Sequence, residues 1–222
     1  QIEEQYALYK GNPLEDQVLR GKFVFGGDNI FNAQDILDAK TPELNDGERR
    51  KDGHRYVLST DTAIGSDEMV HYVLDTTEKP YRLVRTLAAK GNSKSPQRHL
   101  NDFIDLFDSY RTETSNPRYI LETWNGESVR YYHDLPEHIK LHTKCYGSWQ
   151  PERRITENKN AEKPVTSPAK KADLLMALNK LLANHELLIP EEPELVQQLG
   201  IYKEDDKNIP TDRLMSLALA CW

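Results

Sequence analysis

Residues 54–77 read HRYVLSTDTAIGSDEMVHYVLDTT, two apolar, β-prone runs on either side of a turn of small residues. The first run ends in Asp61, the turn is followed by Asp67, and the second run begins at once. An aspartate after a strand can bond to its own turn backbone, or it can be a carboxylate held at a strand end for chemistry. Neighbouring segments bear on which use applies here.

Working outward, strands are expected at 55–61, 69–76 and 81–89, joined by short connections as an antiparallel meander. SPQRHLNDFIDLFDSYR follows, with Leu100, Phe103, Ile104, Phe107 and Tyr110 at helical spacing and Ser95-Pro96 as a helix start. RYILET (118–123) is a fourth strand, NGESVRYYHDL a second helix and IKLHTKCY a fifth strand. Past a polar stretch at 147–166, a leucine-rich helix is expected over about 168–186, with Ala172, Leu174, Leu175, Leu178, Leu181 and Leu182 on its apolar face. LLIP is a short extended piece, EEPELVQQLG a short helix, IYKEDDKNIPT a loop and DRLMSLALACW a last helix.

Upstream, QIEEQYALYK is helical in pattern, KFVFGG strand-like, and NIFNAQDILDA reads as one helix of about three turns. The polar connector KTPELNDGERRKDG sets a boundary near residue 51, giving a 1–50 extension and a 51–222 domain. A meander followed by α-β-α-β builds an α/β domain with a mixed five-stranded sheet: three antiparallel strands plus two parallel ones, flanked by helices. In one common arrangement the fourth strand returns beside the first and parallel to it, so that their ends are neighbours.

Composition narrows the function. The chain has 222 residues, 37% hydrophobic and 29% charged, the mix of a soluble globular protein. No apolar run approaches the ~20 residues of a membrane span, and no signal peptide is visible. Cys145 and Cys221 are far apart, which speaks against a disulfide framework or a zinc ribbon and fits a reducing compartment. His133, His138 and His142 share no helical face, so no histidine metal site is assigned. The net charge is −7, but residues 140–171 carry +5 against −12 for the remainder. A basic strip on an acidic body can bind phosphate locally, and a solvated basic loop fits the same composition.

Three carboxylates stand at telling places: Asp61 ends the first strand, Glu122 ends the fourth and Asp212 opens the last helix. Taken singly, each has an ordinary explanation: a turn residue, an ion-pair partner, and a helix-dipole partner after an N-capping Thr211. Taken together on this strand order, they point to a cation site. Converging carboxylates raise one another's pKa, a divalent cation relieves the repulsion, and Mg²⁺ and Mn²⁺ prefer such oxygen ligands. Two such ions ~3.5–4 Å apart clamp the attacking and leaving oxygens in phosphodiester cleavage. The basic strip offers Arg153, Arg154, Lys159, Lys163, Lys170 and Lys171 as phosphate contacts. Trp124, beside Glu122, is read as a packing aromatic, with a DNA contact as the alternative.

The segments YVLSTDTAIGSDE, YILETWNGESV and TDRLMSLALACW resemble the nuclease domain of the large terminase subunit of tailed bacteriophages, as does AKKADLLMALNKLLANHELLIPEEPELVQQL. The resemblance covers roughly 54–222. It implies an RNase H-like endonuclease that cuts concatemeric viral double-stranded DNA during packaging, with two divalent ions, Mg²⁺ or Mn²⁺. It makes Asp61, Glu122 and Asp212 the metal ligands and catalytic acids, with Asp67 auxiliary. The family often has two adjacent acids at the last motif, where this chain has Thr211-Asp212. The partners implied are DNA, the packaging ATPase domain of the same full-length protein, the small terminase subunit and the portal of the procapsid. The setting implied is the host cytoplasm, with the isolated domain monomeric and no membrane contact. A start at Gln1 and the lack of a G-x-x-x-x-G-K-[ST] run fit a piece lacking the ATPase. Two competing readings are another RNase H-like nuclease, such as a Holliday-junction resolvase, and a non-catalytic protein-docking module.

Overall fold

The computed structural model describes residues 29–44, 47–63, 67–90, 93–112, 115–149, 151, 171–203 and 210–222. The expected early helix, the KFVFGG strand, and Arg153, Arg154, Lys159, Lys163 and Lys170 lie outside them.

The elements in chain order are α1 (Ala33–Ala39), β1 (Tyr56–Asp61), β2 (Glu68–Asp75), β3 (Tyr81–Lys90), α2 (Pro96–Tyr110), β4 (Arg118–Glu122), α3 (Gly126–Asp134), α4 (Glu137–Lys140), β5 (Thr143–Tyr146), α5 (Lys171–Ala183), β6 (Leu187–Leu188), α6 (Pro193–Ile201) and α7 (Asp212–Ala220). They form one sheet in the order β5-β4-β1-β2-β3-β6. β1, β2 and β3 make the antiparallel meander. β4 pairs parallel to β1 and β5 parallel to β4. The first and fourth strands are therefore neighbours running the same way.

Three local readings change. The sheet has six strands, because Leu187 and Leu188 of the short LLIP piece pair in parallel with Tyr81 and Arg82 at the outer edge of β3. The segment IKLHTKCY is divided: Ile139 and Lys140 finish α4, and only Thr143–Tyr146 extend. Pro136 starts that turn and Ile139 is buried under it, so local helix wins over β pattern. The helix near residue 30 is shorter than expected. Asn32 caps it by accepting from Gln34 N at 2.7 Å, which leaves Ile30 and Phe31 ahead of the helix and Leu37 facing solvent.

Helices cover both faces of the sheet. On one side α2, α3 and α4 pack over Leu58, Met69, Val73, Tyr119 and Leu121. On the other, α1, α5, α6 and α7 pack over Val70, Tyr72, Leu74, Leu83 and Ile120. Burial on both faces explains why seven of the eight residues of β2 are buried instead of alternating. On α5, Leu174, Leu175, Leu178, Leu181 and Leu182 are buried as expected, whereas Ala172 is exposed. Ser95 caps α2 with Pro96 in its first turn.

A polar pocket lies within the α2 face. Thr60 Oγ1 is 2.8 Å from His71 Nδ1 and 2.7 Å from Tyr119 Oη, and all three residues are buried. Burial first, then the neighbouring His99 and Lys94 charges, brings His71 down to about 3. Its folded pKa lies below its unfolded value of 6.5, so the neutral ring supports the fold above that pH. That support is lost as pH falls from 6.5 toward about 3. The expected outcome is a shallower loss of thermal stability between pH 6.5 and 4 in His71→Phe than in the parent, measured by circular dichroism; parallel slopes would contradict it.

Candidate active site

β1 and β4 end side by side. Thr60 pairs with Leu121, and the same register carried one residue on sets Asp61 beside Glu122. Ser59, two residues before Asp61 and so on the same face, donates to Ser216 O on α7 at 2.7 Å. Ser216 Oγ donates in turn to Val70 O of β2 at 3.0 Å. These bonds pin α7 across β1 and β2, and its first residue, Asp212, arrives at the strand ends. The backbone N–H of Glu68, opening β2, donates to Asp212 Oδ2 at 3.4 Å.

The three carboxyl groups are protonated more readily than ordinary ones. Asp61 is pushed well up, by burial first and then by the Glu122 and Asp212 charges, while Lys171 opposes the shift. A protonated Asp61 donates to Glu122. Burial raises Glu122 too, against hydrogen bonds from the Thr62 hydroxyl and N–H and from Asp61. Asp212 is raised by burial, with the Asp67 and Glu68 charges adding and the Glu68 N–H opposing. The structure thus brings Asp61, Glu122 and Asp212 into one electrostatic cluster. Asp67 is an exposed neighbour that acts on Asp212 through its charge.

Several residues that hold this cluster carry no sequence signal of that role. Thr62 Oγ1 donates to Glu122 Oε2 at 2.7 Å, and Thr62 N approaches the same oxygen at 3.3 Å. Asn125, which caps α3 in a capping box with Ser128, also donates to Thr62 Oγ1 at 3.4 Å. Arg213 grips both oxygens of Glu68 at 2.9 and 3.0 Å and also binds Glu192. The cap of α7 differs from expectation. The Thr211 side chain makes no capping bond; Gln198 Oε1 of α6 accepts from both Arg213 N and Leu214 N at 3.0 Å. Asn125 and Ser128 cap α3 from its own N-terminal end, whereas the cap of α7 is delivered from another helix. Trp124, read as a packing aromatic, is 53% exposed beside Glu122. Lys171 opens α5, with its ammonium 5.1 Å from the Tyr202 ring centre.

Three hard-oxygen donors, desolvated and mutually repelling, fit a divalent cation. Among the described residues no group of three or more His, Cys, Asp or Glu side chains is placed so that it could hold a metal ion as it stands. The hydrogen bonds account for this: Glu122 is directed at Thr62 and Asp61, and Asp212 at the Glu68 N–H.

No family model matches the chain, and no curated protein matches it. Solved structures do. The large terminase nuclease from thermophilic phage G20c with bound magnesium has a TM-score of 0.63 at 15% identity, over 88% of this chain and 97% of that one. The same nuclease is also similar in its cobalt- and zinc-bound structures. The large terminase nuclease domain of Thermus phage P74-26 has a TM-score of 0.59 at 16% identity, over 86% of this chain and 93% of that one. This is the RNase H-like fold of the large-terminase nuclease domains. The large terminase of another thermophilic bacteriophage has a TM-score of 0.57 at 11% identity, over 98% of this chain, which spans 50% of that protein. At these identities the likeness is one of fold.

Asparagine at position 61 removes the cost of keeping a desolvated acid beside Glu122, whether that acid is ionised or protonated. In chelator at neutral pH, Asp61→Asn is expected to raise the melting temperature by about 2–4 °C. Added Mn²⁺ should raise that of the parent and leave the variant unmoved. Differential scanning fluorimetry reads both, and an equal Mn²⁺ response would remove Asp61 from the site.

Proposed function

We propose that the chain is a divalent-cation-dependent endodeoxyribonuclease, the nuclease part of a phage packaging terminase that cuts concatemeric double-stranded DNA. The observation that supports this reading is the meeting of Asp61, Glu122 and Asp212 at the carboxyl ends of parallel β1 and β4. These residues come from three elements distant in sequence, in a fold shared with nucleases solved with cobalt, zinc and magnesium. A docking module has no need to desolvate three acids at one point.

Mg²⁺ or Mn²⁺, two ions per site, would be held by Asp61 at the centre with Glu122 and Asp212 on either side, and Asp67 in support. When bound, such ions supply Lewis acidity toward the phosphate and lower the pKa of a ligated water. The remaining work falls to the chain itself. Thr62 orients the Glu122 carboxylate through its hydroxyl and N–H. Arg213 holds Glu68, and Gln198 holds the first turn of α7, so that Asp212 keeps its station at the β2 start. Lys171 offers an ammonium for a phosphate close to Asp61, with Arg153, Arg154, Lys159, Lys163 and Lys170 extending the basic strip. The chain acts as the nuclease part of a longer protein, with residues 1–50 as the connection toward a packaging ATPase. Its partners are DNA, the small terminase subunit and the portal of the procapsid. It works in the host cytoplasm, and the isolated domain is a monomer. No helix among the described residues is long and apolar enough to cross a membrane.

The direct test is plasmid nicking with Mg²⁺ or Mn²⁺. The parent should nick, and Asp61→Asn, Glu122→Gln and Asp212→Asn should each lose about 100-fold or more in rate. Equal nicking by all four proteins would sink the assignment. Lys171→Ala should weaken DNA binding at low salt and lower the slope of log affinity against log salt by about one phosphate contact. An unchanged slope takes Lys171 out of the DNA path.

A further inference from the structure

Tyr146 belongs to the same row as the acids. β4 and β5 pair in parallel with Glu122 opposite Tyr146. Partners in a parallel ladder point to the same face. Asp61, Glu122 and Tyr146 therefore stand side by side on three adjacent strands, at their carboxyl ends, on the α7 face.

The Tyr146 side chain is not a plain core residue. It is 2% exposed, and its hydroxyl has no hydrogen-bond partner among the described residues. Buried phenols ordinarily find one. The ring is held in place: its centre is 6.1 Å from that of Trp124 and 5.7 Å from that of Trp222, both edge-on, and Lys144 Nζ caps Trp222 at 3.3 Å. The following residue is fixed as well. A Cβ on Gly147 would stand 2.4 Å from the carbonyl carbon of Thr123, so only glycine lets the end of β5 close against the residue after Glu122. The carboxylates of Asp173, on the first turn of α5, and of Glu122 both act on the phenol, which locates it in the acidic field of the site.

We infer that Tyr146 is a further positioning residue of the site, its buried hydroxyl donating to a water that a bound cation would hold beside Glu122. The inference rests on the nuclease reading. A neutral O–H donor suits this place. A fourth carboxylate in the row would add to the repulsion around Asp61, and an ammonium would compete with a cation for Glu122. Burial and the two neighbouring carboxylates keep the proton on the phenol, so it acts as a donor at neutral pH.

Tyr146→Phe keeps the ring and its contacts and removes only the hydroxyl. Three measurements on parent and variant decide the matter: melting in chelator, Mn²⁺ titration by calorimetry, and duplex DNA binding by anisotropy in Ca²⁺. The variant should melt about 2–4 °C higher in chelator, because a buried orphan group is gone. Its affinity should fall roughly tenfold or more. A fall in Mn²⁺ affinity, with DNA binding falling alongside it, supports the inference, and a fall in DNA binding alone with Mn²⁺ affinity unchanged overturns it. A variant that melts higher yet binds Mn²⁺ and DNA as the parent does would overturn the inference while leaving the nuclease reading intact. A parent that takes up neither overturns the nuclease reading and this inference with it.

Discussion

Asp61 is half-buried beside Glu122 and within the field of Asp212, with desolvation and like charge both opposing its ionisation. Left to itself such a group is protonated or the elements carrying it move apart. Neither strand can move. β1 is bonded on one side to β2 and on the other to β4, so Asp61 and Glu122 are fixed at adjacent strand ends by the ladder itself. The sheet thus supplies a rigid base on which an unfavourable charge arrangement is kept. Helices on both faces bury that base in apolar contact.

The third acid comes from a helix, and helices slide more easily than paired strands. Here α7 is held by polar bonds that specify position as well as by apolar packing. Ser59 and Ser216 fix its height over β1, and Gln198 occupies the N–H groups of Arg213 and Leu214 in its first turn. Arg213 is the counterpart of Asp212 one residue on. Its guanidinium is bound by Glu68 and Glu192, and Glu192 also accepts from Tyr72 Oη and Thr86 Oγ1. A bidentate arginine pair resists both translation and rotation. The single positive charge of Arg213 meets two carboxylates and offsets only part of theirs, so the Glu68 charge still adds to the field at Asp212.

The strand order was legible because each β segment of the meander carries its own pattern and its turns are short. The parallel return of the fourth strand followed from the helix between residues 96 and 110. The acids could be named because they sit at element boundaries: Asp61 and Glu122 at strand ends, Asp212 at a helix start. What was not legible depends on distant partners. Gln198 lies 15 and 16 residues from the N–H groups it caps, and nothing in QQLG marks it for that use. Thr62 follows Asp61 as turn residues often do, yet its use is to hold an acid 60 residues away. Leu187 and Leu188 are too few to show a period, and they become a strand only because the edge of β3 is open to them. Ile139 and Lys140 fit a β pattern, but Pro136 had already begun a helical turn.

The placing of the acids also bears on how a chain of net charge −7 could meet a polyanion. Clefts at the carboxyl ends of parallel strands are where α/β folds receive ligands, since adjoining loops open there. At this end the cationic contribution to Asp61 comes from Lys171 on α5, and Lys144 sits on the aromatic group beside Glu122. Both belong to the run from 140 to 171, a stretch with a positive balance of +5. The compensating negative charge is spread over the rest of the chain, where an approaching phosphate is largely screened beyond about 8–10 Å at physiological salt. Local sign therefore matters more than net sign for contact at this point, and a cation taken up by the acids would carry the local field further in the same direction.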